Sequence, residues 1–270
     1  MEWQSIRVTL EQHVARLELN RPDKANALDA RMWNELREAM QWVDRCDEAR
    51  VAILSGAGRL FSAGIDLEML HELRRLAQAD CRGRGAERLR LMILDIQDTV
   101  SAIERCRKPV IAQIHGACVG GGIDIVSACD MRYCSDDAWF SVKEVDVGLT
   151  ADVGTLQRLP KLIGEGMARE LAHTARRVGA AEAQQIRLVN RACGSVQDLA
   201  AAVAGMAALI ASKPPLALRG TKEMITYARD HSVADGLNYI ATWNAAMLLS
   251  SDLEEALAAQ REKRAARFRD

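Results

Sequence analysis

The chain has no excess charge of either sign: 36 Lys and Arg stand against 37 Asp and Glu, a formal net charge of −1 over 270 residues. That balance gives no global electrostatic case for nucleic acid or a membrane surface, although a local basic patch is compatible with it. CxxC pairs are missing too. The seven cysteines are odd in number and scattered, a pattern of reduced thiols rather than of a disulfide framework or a zinc site. No run of 18 apolar residues occurs, and the first 22 residues, MEWQSIRVTLEQHVARLELNRP, lack the apolar stretch of a secretory signal. The last four, RFRD, do not match a peroxisomal address. The expectation from these absences is a soluble, cytoplasmic protein with no metal and no membrane or nucleic-acid partner.

What is present is ordinary for a globular chain, 49% hydrophobic and 27% charged. The length suits one large domain, or one domain with an appendage, and allows a substantial core. Residues 6–19 alternate as a hairpin, and 30–45 read as an amphipathic helix with Asp29 as N-cap. A short buried strand is expected at 51–54, then a glycine turn and a helical start at Leu67. The arginine-rich stretch 72–90 reads as a loop or solvated helix, a candidate flap. Strands are expected at 110–114, 131–134 and 139–142, with a helix over 123–129. Strand, strand, helix thus recurs about three times, unlike strict βαβ alternation. After Pro214-Pro215 the chain reads as helical. Residues 1–200 are expected as the core and 201–270 as a helical C-terminal region.

Three carboxylates stand out within 120–152. Asp124 follows Gly120-Gly121-Gly122, Glu144 comes 20 residues later, and Asp152 a further eight. Each lies in mostly apolar local sequence, which carboxylates seldom enter unless they are hydrogen-bonded, paired or used in chemistry. The glycines form neither a P-loop nor a dinucleotide fingerprint. They suit either a tight strand-to-helix turn or a helix N-terminus whose amides face an anion. A second glycine-flanked turn, Phe61-Ser62-Ala63-Gly64, could converge on it and form a two-donor oxyanion hole. Each acid also has a plainer reading: Asp124 as a first-turn acid, Asp152 as an N-cap, Glu144 as a surface partner of Lys143. His115 reads as a core histidine.

FSAGIDL, IHGACVGGGID and KEVDVGLTADVGTLQRLP closely resemble the crotonase (enoyl-CoA hydratase/isomerase) superfamily, as does LNRPDKANALD at 19–29. The likeness continues through residues 220–244, and within the superfamily it is strongest to the dienoyl-CoA isomerases. It implies an α/β fold, a spiral of ββα units with a helical C-terminal trimerisation region. It further implies a homotrimer or dimer of trimers acting on an acyl-CoA substrate, with no cofactor beyond the CoA that the substrate carries.

By motif position the resemblance places the oxyanion amides on Ala63 and Gly121. Hydratases of the superfamily carry glutamates at positions 124 and 144 and lack the third acid. Asp124, Glu144 and Asp152 together match the dienoyl-CoA isomerases, implying Glu144 as base at carbon 2, Asp152 as acid at carbon 6 and Asp124 as a polarising neighbour. Those two carbons lie roughly 5 Å apart along an extended chain, too far for one fixed carboxylate to serve both well. Arg21, Lys24, Ile65, Asp66 and, from a neighbouring subunit, Lys263 are candidates for holding CoA. Solvated charge is the alternative for Arg21, Lys24 and Lys263. An RNA-binding, non-catalytic member of the fold would instead show a basic surface and dispensable acids.

Overall fold

Residues 3–77 and 81–269 are described in the computed structural model of the chain. Ile6–Glu11 (β1) and Val14–Leu19 (β2) pair antiparallel, and Gln12 and His13 close the hairpin at positive φ. Two left-handed residues match the twist of the flanking strands. Ala30–Arg45 (α1) follows, capped by Asp29, whose carboxylate accepts from the Met32 amide at 2.8 Å. Its buried positions Met32, Leu36, Ala39, Met40 and Val43 fall on one face, as the 3.6-residue period requires.

Val51–Gly56 (β3) leads to the helices Leu67–Ala77 (α2) and Arg82–Arg105 (α3). The stretch 72–90, expected as loop or solvated helix, is therefore helical at 72–77 and 82–90; residues 78–80 lie outside the described residues. Val110–Ile114 (β4) and Ala117–Val119 (β5) precede Gly121–Ser127 (α4), a helix that starts at the glycines themselves, two residues earlier than expected. Met131–Ser135 (β6) and Trp139–Ser141 (β7) come before Thr155–Ile163 (α5) and Glu165–Thr174 (α6). Val178–Gly179 (β8), Ala180–Gln185 (α7) and Arg191–Cys193 (β9) complete the sheets.

Six strands in the order β1-β2-β3-β4-β6-β9 make the larger sheet, parallel from β2 onward; β5, β7 and β8 make a smaller one. Successive units β4-β5-α4 and β6-β7-α5 each place one strand in either sheet, the expected spiral of ββα units. Alternation along the strands divides the core. Ala52 and Leu54 join the cluster that holds α1 and α3 side chains, while Val51, Ile53 and Ile111 face the opposite side.

That opposite side is covered by Val196–Ala211 (α8), through Leu199, Val203, Ala207 and Ala211. The expected boundary at 200/201 therefore cuts a core helix. Burial of one α8 residue every fourth position makes it a layer of the core, and the appended helices begin only at Pro215–Ala228 (α9). Val233–Met247 (α10) and Ser251–Glu262 (α11) follow, and α10 buries none of its residues although Val233 and Leu237 are apolar and 79% and 63% exposed.

Two buried cations tie this C-terminal part to the core. Lys222 of α9 donates to Asp130 at 2.8 Å, and to the carbonyls of Lys108 and Ile103 at 3.1 and 3.3 Å. Arg50 donates to the carbonyls of Ala211 and Phe268. Lys222→Met removes a charge-assisted hydrogen bond and leaves two carbonyls and part of a carboxylate unmatched. We expect a loss of about 2 kcal/mol in urea unfolding, moderated because Asp130 retains some solvent contact and the Val110 amide.

Candidate active site

The turn after β3 and the turn after β5 meet. Gly64 and Gly120 both hold positive φ, and an added Cβ on Gly64 would lie 2.9 Å from the Val119 carbonyl oxygen and 3.6 Å from the Gly120 Cα. Only glycine allows two backbones to approach this closely in that conformation. Ser62 also bridges to Cys118, which brings the first turn alongside β5.

Amide accounting shows what this junction leaves open. Phe61 N–H donates to the His115 carbonyl, Ser62 N–H to that of Ala117, and Ala63 N–H to that of Ala25 at 3.0 Å. Gly64 N–H donates to the Ser62 hydroxyl and Asp66 N–H to the Leu28 carbonyl. Ile65 N–H has no acceptor among the described residues. Across the junction, Gly120 N–H donates to the Ser141 carbonyl, whereas Gly121 is the first residue of α4 and its amide is one of the free donors at a helix start. Open donors thus stand at Ile65 on the first turn and at the start of α4, led by Gly121. Gly121, expected as a donor, keeps its amide open; the expectation for Ala63 is corrected, because its hydrogen already holds the chain to Ala25. The open amide on this turn lies two residues on, at Ile65, a position assigned from sequence to CoA contact.

The acids gather on the same side of α4. Asp124 is 2% exposed, and its Oδ1 accepts from both the amide and the hydroxyl of Thr155, each at 2.7 Å. Burial pushes its pKa up to about 7, against the pull of Thr155 and reinforced by Glu144 and Asp152. Glu144 opens a single 3-10 turn, Glu144–Val147; burial raises its pKa, with Asp152 adding to the rise, and its Oε2 is buried without a partner. Asp152 is exposed, and desolvation of its carboxyl raises its pKa too. Its carbonyl accepts from the Gln97 amide of α3 at 2.6 Å. Repulsion accounts for the added rises: Asp152 raises Glu144, and both raise Asp124, the most buried of the three.

The plainer readings fail on partners. Asp152 caps nothing, since Gly154 holds the cap position of α5 and the Thr155 amide turns to Asp124. Lys143 pairs with Asp146, not Glu144. Asp124 sends its carboxylate to α5 rather than to amides of its own helix.

Among the remaining candidates, Arg21 is engaged internally. Its guanidinium donates to the Ala27 carbonyl and lies 3.0 Å from Asp66 and 3.3 Å from Asp29. Arg21 and Asp66 brace the turn that carries Ile65, so their expected part in holding CoA is corrected: each is the other's partner. Lys24 is exposed nearby, and Lys263 ends α11 on the exposed surface. His115, 8% exposed, pairs with the Gly58 carbonyl and acts in the core. A cavity of about 380 Å³ lies behind Glu144, walled by Val142, Val145, Leu149, Leu156 and Leu159; Asp124 and Asp152 do not line it. Thr155, Asn26 and Gln97 went unread in the sequence. Asn26, fully buried, donates to the Ala57 and Leu60 carbonyls and so fixes the first turn.

The enoyl-CoA hydratase/isomerase family pattern matches residues 9–270. The chain is 48% identical to the peroxisomal Delta(3,5)-Delta(2,4)-dienoyl-CoA isomerase of Arabidopsis thaliana, over 97% of this chain and 95% of that protein. It is 47% identical to the mitochondrial enzyme of the same name from Homo sapiens, over 97% of this chain and 80% of that one. Among solved structures, an enoyl-CoA hydratase from Bacillus anthracis superposes with a TM-score of 0.89 at 32% identity, covering 98% of this chain and 99% of that one. The compartments in the relatives' names overturn the cytoplasmic expectation. Compartment addresses are short receptor-read segments, which the composition of a folded domain does not encode. With a family pattern covering nearly its whole length and relatives at this identity, the chain belongs to the enoyl-CoA hydratase/isomerase family.

Proposed function

We propose that the chain isomerises 3,5-dienoyl-CoA to the conjugated 2,4-dienoyl-CoA. The observation that carries this is a set of three acids of raised proton affinity, Asp124, Glu144 and Asp152, beside two unpaired amides. The relatives named for that reaction support it. Glu144 removes a proton from carbon 2. The electron pair passes into a dienolate whose charge collects on the thioester oxygen, where the Ile65 and Gly121 amides receive it; one such donor contributes about 3 kcal/mol. Asp152 delivers a proton at carbon 6, and the double bonds settle at carbons 2 and 4. Atoms and electrons balance within the acyl chain, so the reaction requires no redox cofactor.

Each turnover leaves Glu144 protonated and Asp152 ionised. Asp152 is exposed and recovers its proton from water, and half-buried Glu144 gives its own up to water as product leaves. The charges of Glu144 and Asp152 in turn favour the neutral form of Asp124, the most buried of the three. Lys24 and, from a neighbouring subunit, Lys263 hold the CoA phosphates. A homotrimer or dimer of trimers would cover α10, which the single chain leaves without a buried residue.

Asp152→Asn separates the two proton transfers. We expect formation of the conjugated diene, followed by its absorbance, to fall at least about 100-fold. Exchange of the carbon 2 hydrogens with D2O should persist, because Glu144 and the amides remain. No diene from the parent enzyme, together with hydration of a 2-enoyl-CoA, would assign the chain to the hydratases instead.

Stability should report the buried acid. Between about pH 4, where an unfolded aspartate titrates, and about pH 7, folded Asp124 holds a proton that the unfolded chain has released. Stability from this group therefore declines as pH rises through that window, by up to about 4 kcal/mol. Asp124→Asn should flatten the decline, so that urea unfolding at pH 8 finds the variant more stable than the parent.

A further inference from the structure

Both hydrogen bonds to Asp124 end on one oxygen. The Thr155 amide and hydroxyl each donate to Oδ1 at 2.7 Å, and Oδ2 has no protein partner among the described residues. Thr155 is fully buried at the first position of α5, so neither donor exchanges readily with water. A carboxyl oxygen that already accepts two hydrogen bonds has no lone pair favourably placed for a proton. The neutral form of Asp124 must then carry its hydrogen on Oδ2.

We propose that Thr155 is a positioning residue that confines the exchangeable proton of Asp124 to Oδ2 and sets how readily that proton binds. The backbone amide alone would hold the carboxyl in place. The hydroxyl adds a second donor that favours the charged form, and it opposes the burial that favours the neutral one. The titratable groups around Asp124 are Glu144 from the 3-10 turn, Asp152 from the strip before α5, and Cys118 from β5. Cys118 is fully buried and its pKa is raised well above the ordinary thiol range, so it stays neutral. Proton occupancy is therefore shared among three acids, with Thr155 biasing the most buried of them. One orphan acceptor belongs to that set: the buried Oε2 of Glu144. A hydrogen on Oδ2 is free to be offered to a partner that enters the site, and a hydrogen on Oδ1 is not.

The kinetic part of this inference rests on the isomerase reading; the protonation part does not. Infrared titration of the carboxylic-acid carbonyl stretch in the substrate-free enzyme tests it, with Asp124→Asn identifying the Asp124 band. Thr155→Val keeps the shape and the backbone amide and removes the hydroxyl. Its Asp124 midpoint should rise by about one pH unit, and Thr155→Ser should return it to the parent value. Thr155→Ala removes the same donor without the branched side chain and should shift the midpoint in the same direction should the Val variant not fold.

In diene formation at neutral pH, the Val variant should lose about 10-fold in kcat with KM little changed, and its pH profile should move with the infrared midpoint. An unmoved midpoint in Val and Ala overturns the proposal, as does a Ser variant that behaves like Val. A shifted midpoint in an enzyme that makes no diene leaves the Thr155 assignment intact and removes the isomerase reading alone.

Discussion

The constraint on which the site depends is that a buried amide must find an acceptor. Along residues 61–66 the fold satisfies five of the six amides from four sources: the residue after β4, β5, the 25–28 turn (twice) and the Ser62 hydroxyl. The sixth, Ile65, is left because the Leu28–Ile65 bridge uses the amides of Leu28 and Asp66 and turns that of Ile65 to the opposite side. Gly121 is left for a different reason, its place at the start of a helix. An unpaired amide is costly in an empty interior, so the pair is held open only by rigid surroundings. Asn26, the Arg21–Asp66 pair and the contact of Gly64 with Gly120 supply them. These groups touch no reacting atom, yet they decide which amide is available.

The acids are graded in burial from Asp124 through Glu144 to Asp152. The roles proposed for them follow the gradient: the neighbour acid lies deepest, the proposed base with its one unpartnered oxygen lies at the edge, and the proposed acid faces water. α3 reaches this end of the site through Gln97 at the Asp152 carbonyl and through Glu104, which pairs with Arg158 of α5 at 3.1 Å and also with Arg229 of α9. The same α9 carries Lys222 into the core. The appended helices are thus mechanically continuous with the strip that carries Asp152.

Much of this was legible in the sequence where the signal is local. Alternation at 6–19 and 51–54, the Asp29 cap and the apolar face of α1 report backbone and burial preferences within a few residues, and the family motifs located the three acids. What stayed hidden is set by pairing between distant segments. Whether Ala63 or Ile65 offers its hydrogen depends on Ala25 and Leu28, nearly 40 residues away. Likewise Thr155 reads as an ordinary helix-start threonine until α4 brings Asp124 against it. The 200/201 boundary failed because α8 looks like any alanine-rich helix, and only the sheet shows that every fourth residue is core. Arg21 and Asp66 read as CoA-contact candidates because their mutual contact spans 45 residues.

Asp124 stands at the meeting of two helix starts, in the first turn of α4 and against the first amide of α5. Both favour a negative charge there, as does the Thr155 hydroxyl. Full burial and two neighbouring acids oppose it. A pKa of about 7 is the outcome of these opposed effects rather than of burial alone, which would leave the carboxyl neutral throughout the physiological range. On the proposed reading the balance matters because a permanently charged Asp124 could offer no hydrogen. A glutamate at this position would carry the carboxyl one methylene further and lose the register with Thr155. The shorter side chain is therefore tied to the helix start that α5 presents, and the two features belong to one device.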